Sequence, residues 1–125
     1  MNNPQEQWTP IIKFKNFSFT GRYEISSWGR IRNAKTKAPL ATYSNNRGQG
    51  YLKTKIQDVD GVRRALYIHQ LVAWYYIGEA PEGTELDHID GNAKNNSWTN
   101  LRYITHAENQ KRMGLAVKAA KRKAS

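Results

Sequence analysis

Asp87 and His88 stand side by side in the second half of the chain, with Asn100 and Asn109 following at short range. Three of these side chains could together hydrolyse a phosphodiester. That reaction needs a nucleophilic water, a charge sink for the phosphate oxygens and help for the leaving 3′ oxygen. A carboxylate and an amide oxygen are hard ligands suited to Mg²⁺ or Mn²⁺, which keep several waters and take phosphate oxygens as ligands. One such cation can polarise the phosphate and stabilise the leaving oxygen. A neutral imidazole can accept the proton from water, help worth about 10²- to 10⁴-fold in rate. Asp87 and Asn109 supply the oxygens and His88 the base. Taken singly, each has a plainer reading: a surface Asp-His pair, a solvated helical Asn, and Asp90-Gly91-Asn92 as only a turn. The joint pattern carries the chemistry.

The elements around these residues must position them. Thr84 to His88 reads as a short strand, Ile89 to Asn92 as a tight turn, 93–100 as a polar loop, and Leu101 to Ile104 as a second strand. Thr105 and Glu108 form a capping box, so a helix should start at His106 and run through Asn109, Lys111 and Arg112. In a compact unit the strand end and the first helical turn can face one another, bringing Asp87, His88 and Asn109 together. Upstream, Tyr51 to Gln57 alternates, Asp58-Val59-Asp60-Gly61 is turn chemistry, and Val62 to Ile68 returns. From His69 the period becomes helical, with Leu71, Val72, Tyr75 and Tyr76 on one face and Gly78 as a C-terminal cap. Trp74, Tyr75 and Tyr76 are read as core. Nearer the N-terminus, Tyr23 to Ser26 and Arg30 to Asn33 flank Ser27-Trp28-Gly29 as a hairpin. Asn45 to Gly50 is a loop.

Charge identifies the class of partner. Twenty Lys and Arg against ten Asp and Glu give +10, and the excess favours a polyanion held by salt-sensitive phosphate contacts. The tail from Lys111 to Ser125 carries six Lys or Arg and no acidic residue. There is no cysteine, which removes disulfides, thiolate zinc sites and cysteine nucleophiles together. No apolar run approaches membrane-spanning length and the N-terminus has no signal core, so a cytoplasmic protein is expected (host cytoplasm if phage-encoded). With 38% hydrophobic residues the core should be thin, and the 4 Trp, 7 Tyr and 3 Phe must supply much of it.

The segment Leu86-Asp87-His88-Ile89-Asp90-Gly91-Asn92, then Asn95-Asn96, then Asn100-Leu101-Arg102-Tyr103-Ile104-Thr105, then Glu108-Asn109, resembles the HNH endonucleases of bacteriophage and homing elements. The upstream Ile68-His69-Gln70-Leu71-Val72-Ala73 is similar to the His-x-Leu-Val-Ala helix of that subfamily, and the resemblance spans about residues 49–112. It implies a ββα-metal fold with His88 as general base, Asp87 and Asn109 as metal ligands, and Asn100 holding the loop and helping to orient the histidine. Asn109 stands where the name-giving pattern has its last His, as in phage homing nickases, and an amide oxygen favours Mg²⁺ or Mn²⁺. Trp8-Thr9-Pro10-Ile11 with Tyr23 to Arg32 is similar to a short DNA-binding module fused ahead of HNH domains, although its usual glycine-rich connection is altered over Lys13 to Thr20.

These readings predict an α+β protein: an N-terminal β-hairpin module over 1–48, an HNH nuclease unit of the ββα-metal type over 49–113, and a basic tail over 114–125. The expected activity is divalent-metal-dependent cleavage of double-stranded DNA by a monomer, as a nick. Arg22, Arg30, Arg32, Lys94, Arg102, Lys111 and Arg112 are the expected DNA contacts. Two rivals remain: a non-catalytic DNA-binding module on an HNH scaffold, and an RNA-binding protein, for which no recognition signature is present. His69 reads as a satisfied packing or capping histidine, with an approach to the metal as the alternative. His106 reads as exposed.

Overall fold

A computed structural model describes residues 5–44 and 50–109. Its nine strands form one three-stranded sheet and three two-stranded ribbons. The first sheet is the hairpin read from the sequence, β4 (Tyr23–Ser26) with β5 (Ile31–Asn33), joined on its open side by β1 (Trp8–Pro10). Pro10 fits there because an edge strand tolerates a residue without an N–H. Between β1 and β4, where the sequence showed only an altered connection, a small hairpin pairs β2 (Lys13–Phe14) with β3 (Phe17–Ser18). It turns Phe14 into the core.

The next ribbon pairs β6 (Lys53–Gln57) with β7 (Arg63–Tyr67). Its pleat buries Thr54 and Ile56 while Lys55 and Gln57 face out. Asp58 closes the turn by accepting the Asp60 and Val62 N–H groups and the Arg64 guanidinium. The chain then enters α1 (Ile68–Val72) one residue earlier than periodicity suggests. Ile68, Leu71 and Val72 are fully buried, so this short helix lies at the centre of the molecule.

α1 continues as a widened π-turn, Ala73–Ile77, closed by the Gly78 N–H on the Ala73 carbonyl at 2.9 Å. Trp74, expected in the core, is exposed, and its ring meets Phe14 edge-to-face with ring centroids 5.4 Å apart. Tyr75 and Tyr76 pack inward as expected and reach the N-terminal strands. Tyr75 Oη accepts the Ile12 and Lys13 N–H groups. Tyr76 Oη lies 2.7 Å from both Thr9 Oγ1 and the Ile25 carbonyl, to which it donates. Tyr76→Phe would strand those partners without altering the packed ring. We expect it to lower unfolding free energy by about 1–2 kcal/mol in urea melts with an unchanged m-value. A loss below a few tenths would mean water replaces the hydroxyl.

The last ribbon pairs β8 (Thr84–His88) with β9 (Leu101–Thr105), as the sequence indicated, and residues 106–109 are helical. The capping box is formed in both directions: Glu108 N–H donates to Thr105 Oγ1 and Thr105 N–H to Glu108 Oε2, each at 3.1 Å. One core joins all these parts, running from Ile11, Phe14, Phe19, Ile25 and Ile31 through Ile56 and Leu66 to Ile68, Leu71, Val72 and Leu101. Among the described residues, no helix is long and apolar enough to cross a membrane.

Candidate active site

The β8–β9 ribbon sorts its side chains by the two-residue period of a strand. Leu86 and His88 face the core with their cross-strand partners Tyr103 and Leu101, while Glu85 and Asp87 share the other face with Ile104 and Arg102. The helix opening at His106 covers that second face. Asn109 donates through Nδ2 to Glu85 Oε2, and His106 Nδ1 lies 2.7 Å from Glu85 Oε1. These contacts, His106 first and Asn109 second, hold the Glu85 carboxyl below its ordinary pKa. His106 is exposed, as expected, and engaged with Glu85. Asp87 accepts from Arg102 Nε at 3.1 Å. The structure therefore brings Asp87 and Asn109 to one face, and sets His88 on the opposite face. That separation refines the expectation that all three converge.

The oxygen-bearing face fits a hard divalent cation. With the Asn109 amide nitrogen engaged by Glu85, its Oδ1 could act as a ligand on the face that carries the Asp87 carboxylate. Among the described residues, no three His, Cys, Asp or Glu side chains converge on a metal position. Two protein oxygens would thus leave most of a coordination shell to water and phosphate, as Mg²⁺-like cations prefer.

The opposite face is a column of rings. His88, 7% exposed, lies 5.8 Å from the Tyr51 ring and 5.2 Å from His69, and Tyr51 stacks on His69 at 4.7 Å. Burial, with Asp87 and Glu85 nearby, pushes the Tyr51 hydroxyl up. His69 packs as expected but is not satisfied, for its buried Nδ1 has no hydrogen-bond partner among the described residues. Burial first, then the neighbouring His88 and Lys15, lowers the His69 pKa to about 4.

The loop between the strands is tied by amides. Asn100 is buried; its Nδ2 donates to Asp90 Oδ1 and the Asn95 carbonyl, and its Oδ1 accepts the Asp90 N–H. Its carbonyl also accepts the Ile89 N–H, fixing the backbone just beyond His88. Asp90 is a hub as well as a turn residue: Asn95 Nδ2, the Asn92 N–H and Asn100 Nδ2 all donate to it and hold its pKa down. The side chain that hydrogen-bonds His88 is neither of these. Asn96, 3% exposed, places Oδ1 2.8 Å from His88 Nε2. In the sequence Asn96 stands out only as part of the Asn95-Asn96 motif, and a polar residue in a polar loop gives no sign that it is buried.

Of the expected DNA contacts, Arg22 and Lys94 are exposed. Arg30 pairs with Glu6 and Arg32 with Glu24, and both guanidiniums lie over the Trp8 ring, Arg32 at 3.7 Å. Arg102 is engaged with Asp87. Lys111, Arg112 and the basic tail lie outside the described residues.

Comparison with known proteins agrees with this architecture. The HNH endonuclease family matches residues 66–111 and the NUMOD4 motif matches residues 6–65, so the two meet inside β7. The SPbeta prophage-derived putative HNH homing endonuclease YosQ of Bacillus subtilis is 38% identical over 88 residues, covering 68% of this chain and 48% of that protein. The DNA endonuclease I-HmuI of Bacillus phage SP01 is 31% identical over 99 residues, covering 77% of this chain and 55% of that protein. The chain thus spans about half the length of these relatives. A solved structure of the HNH homing endonuclease I-HmuI, described as showing DNA binding and cleavage, superposes with a TM-score of 0.65 at 31% identity. It covers 92% of this chain and 66% of that one. The strand-rich α+β architecture and its terminal ββα unit are those of the ββα-metal class.

Proposed function

The chain belongs to the HNH endonuclease family, with a NUMOD4 motif ahead of its HNH domain, and on that premise we propose that it is a divalent-metal-dependent endonuclease acting on double-stranded DNA. The observation that supports this most is the sorting of the β8–β9 ribbon. Asp87 and Asn109 lie on one face and His88 on the other, at the end of a single strand. In-line displacement at phosphorus requires nucleophile and leaving group on opposite sides. A phosphate placed at the end of β8 would meet the base from one side and the oxygen donors from the other.

With Asn96 Oδ1 as the acceptor, His88 Nε2 would carry the proton and Nδ1 the lone pair. His88 Nδ1 would then be the atom that takes the proton from water. Asp87 and Asn109 would hold Mg²⁺ or Mn²⁺, and the bound cation would polarise the phosphate and stabilise the leaving 3′ oxygen. Asn100 and Asp90 keep the loop that carries Asn96 in register. Arg22 and Lys94, with Arg30, Arg32, Arg102 and the basic tail, would follow the phosphates. Acting as a monomer, one catalytic unit would cut one strand per binding orientation and so leave a nick, and its expected place of action is the cytoplasm.

Supercoiled plasmid tests this directly. With purified protein we expect conversion to the open-circular form in Mg²⁺ or Mn²⁺ and none in EDTA. Cleavage that persists in EDTA would reject the metal-dependent reading. Binding without cleavage in either metal would favour a DNA-binding module that retains an HNH scaffold.

A further inference from the structure

The contact on His88 does not end at Asn96. The tip of the β4–β5 hairpin lies directly against that loop: the Ser27 carbonyl accepts the Trp98 N–H at 2.8 Å. At Gly29 the approach is closer still. A Cβ placed there would fall 2.7 Å from Asn96 Cβ and 3.1 Å from the Asn96 carbonyl oxygen. Only a residue without a side chain fits, and Gly29 also adopts φ +89°, which favours glycine. The tip itself is tied by hydrogen bonds on both sides. Ser26 is fully buried, and its Oγ accepts the Trp28 and Arg30 N–H groups at 3.2 and 3.0 Å. Ser27 is tied to Gln7 in both directions, its N–H to the Gln7 carbonyl and its Oγ to the Gln7 N–H.

Asn96 is built to be positioned in this way. It is buried against the tip, its Oδ1 engages His88, and its Nδ2 has no hydrogen-bond partner among the described residues. A buried amide that leaves its donors unused is kept for its acceptor, since an unpaired donor there is costly. We propose that the N-terminal hairpin tip is a positioning element for the catalytic base: Gly29 sets Asn96, and Asn96 sets the tautomer and tilt of the His88 ring. Both are positioning residues, because neither reaches the reacting atoms. The proposal rests on His88 being the base.

The experiment is a double-mutant cycle on the full chain, reading kcat and KM for plasmid nicking alongside DNA affinity. Rates are normalised to the DNA-binding fraction, so that loss of fold does not register as loss of rate. Asn96→Ala should lower kcat about 10- to 100-fold with KM within about twofold, as expected for a slightly misplaced catalytic group. Asn96→Asp keeps the acceptor while replacing the unused donor with a second carboxylate oxygen and its charge, so it should retain clearly more kcat than Asn96→Ala. Gly29→Ala should lower kcat about tenfold alone and add nothing in the Asn96→Ala background. Long-range ¹H–¹⁵N spectra give a readout independent of activity: His88 should be Nε2–H in the unmodified protein and in Asn96→Asp, and a tautomer mixture in Asn96→Ala. Full kcat in Asn96→Ala, or losses at Gly29 and Asn96 that multiply, would overturn the relay. A His88→Ala variant run in parallel separates the two ideas, since activity surviving there would sink the base itself.

Discussion

Replacing His88 by alanine is expected to lower cleavage by about 10²- to 10⁴-fold while DNA affinity stays within about twofold. The ring sits on the core side of the ribbon, 7% exposed, beneath Tyr51 and His69. It therefore has little surface for phosphate contact, and its loss should register in the chemical step. Because the ring is buried, the alanine variant also leaves a space, and His88→Asn serves as the companion that fills part of it without a usable base. Both variants should bind duplex DNA and leave supercoiled plasmid intact. Nicking at the unmodified rate by either one, in Mg²⁺ or Mn²⁺, would remove His88 from the mechanism.

The second large effect concerns stability against pH, and its source is His69. Burial holds this imidazole neutral in the folded chain with a pKa near 4, against an ordinary 6.5. Tyr51, Tyr67 and His88 face it as rings, and Lys15 contributes a repelling charge. Between those two pH values the unfolded chain binds a proton that the folded chain refuses, so stability rises with pH across the window. The contribution is whole above about pH 6.5 and is lost progressively as the pH falls toward 4, by about 3 kcal/mol in total. Urea midpoints taken from pH 7.5 to 4.5 should fall accordingly. His69→Phe, which keeps a ring against Tyr51, should fall much less. An equal fall in both proteins would place the acid sensitivity in the carboxylates instead.

The HNH half of the molecule is the more legible in sequence, for physical reasons. β8, the turn after it, β9 and the helix start at His106 each carry a local signal: alternation, Asp-Gly-Asn, a β-like run and Thr105 with Glu108. Local signals survive because they depend on neighbours a few residues away. The hairpin at Tyr23–Asn33 was readable for the same reason. What escaped depends on distant contacts. Trp8–Pro10 becomes a strand only because β4 offers an edge, and Lys13–Ser18 folds back because Phe14 finds the core. Trp74 reads as core with its neighbours Tyr75 and Tyr76, which fit the buried face, but in the π-turn it is exposed. Asn96 escaped most completely, since nothing local says that an amide in a polar loop will be buried under a hairpin tip from the other half of the chain. His69 was placed correctly as packing, yet its unpartnered nitrogen follows from burial that no short window reveals.

The continuity of the hydrophobic core limits how such a protein can be recombined. Six of its buried residues, Ile11 to Ile56, lie in the NUMOD4 segment, and five, Leu66 to Leu101, in the HNH segment. The seam between the segments runs through β7, a strand whose partner β6 lies wholly on one side. Domain shuffling needs self-sufficient parts, and this border lies inside a paired strand above a shared core. A graft of a new leading segment onto this catalytic unit must bring complementary apolar residues with it, or the two halves will share no interior. Lineages of this architecture should therefore inherit both segments together, with exchange confined to surfaces the core does not reach.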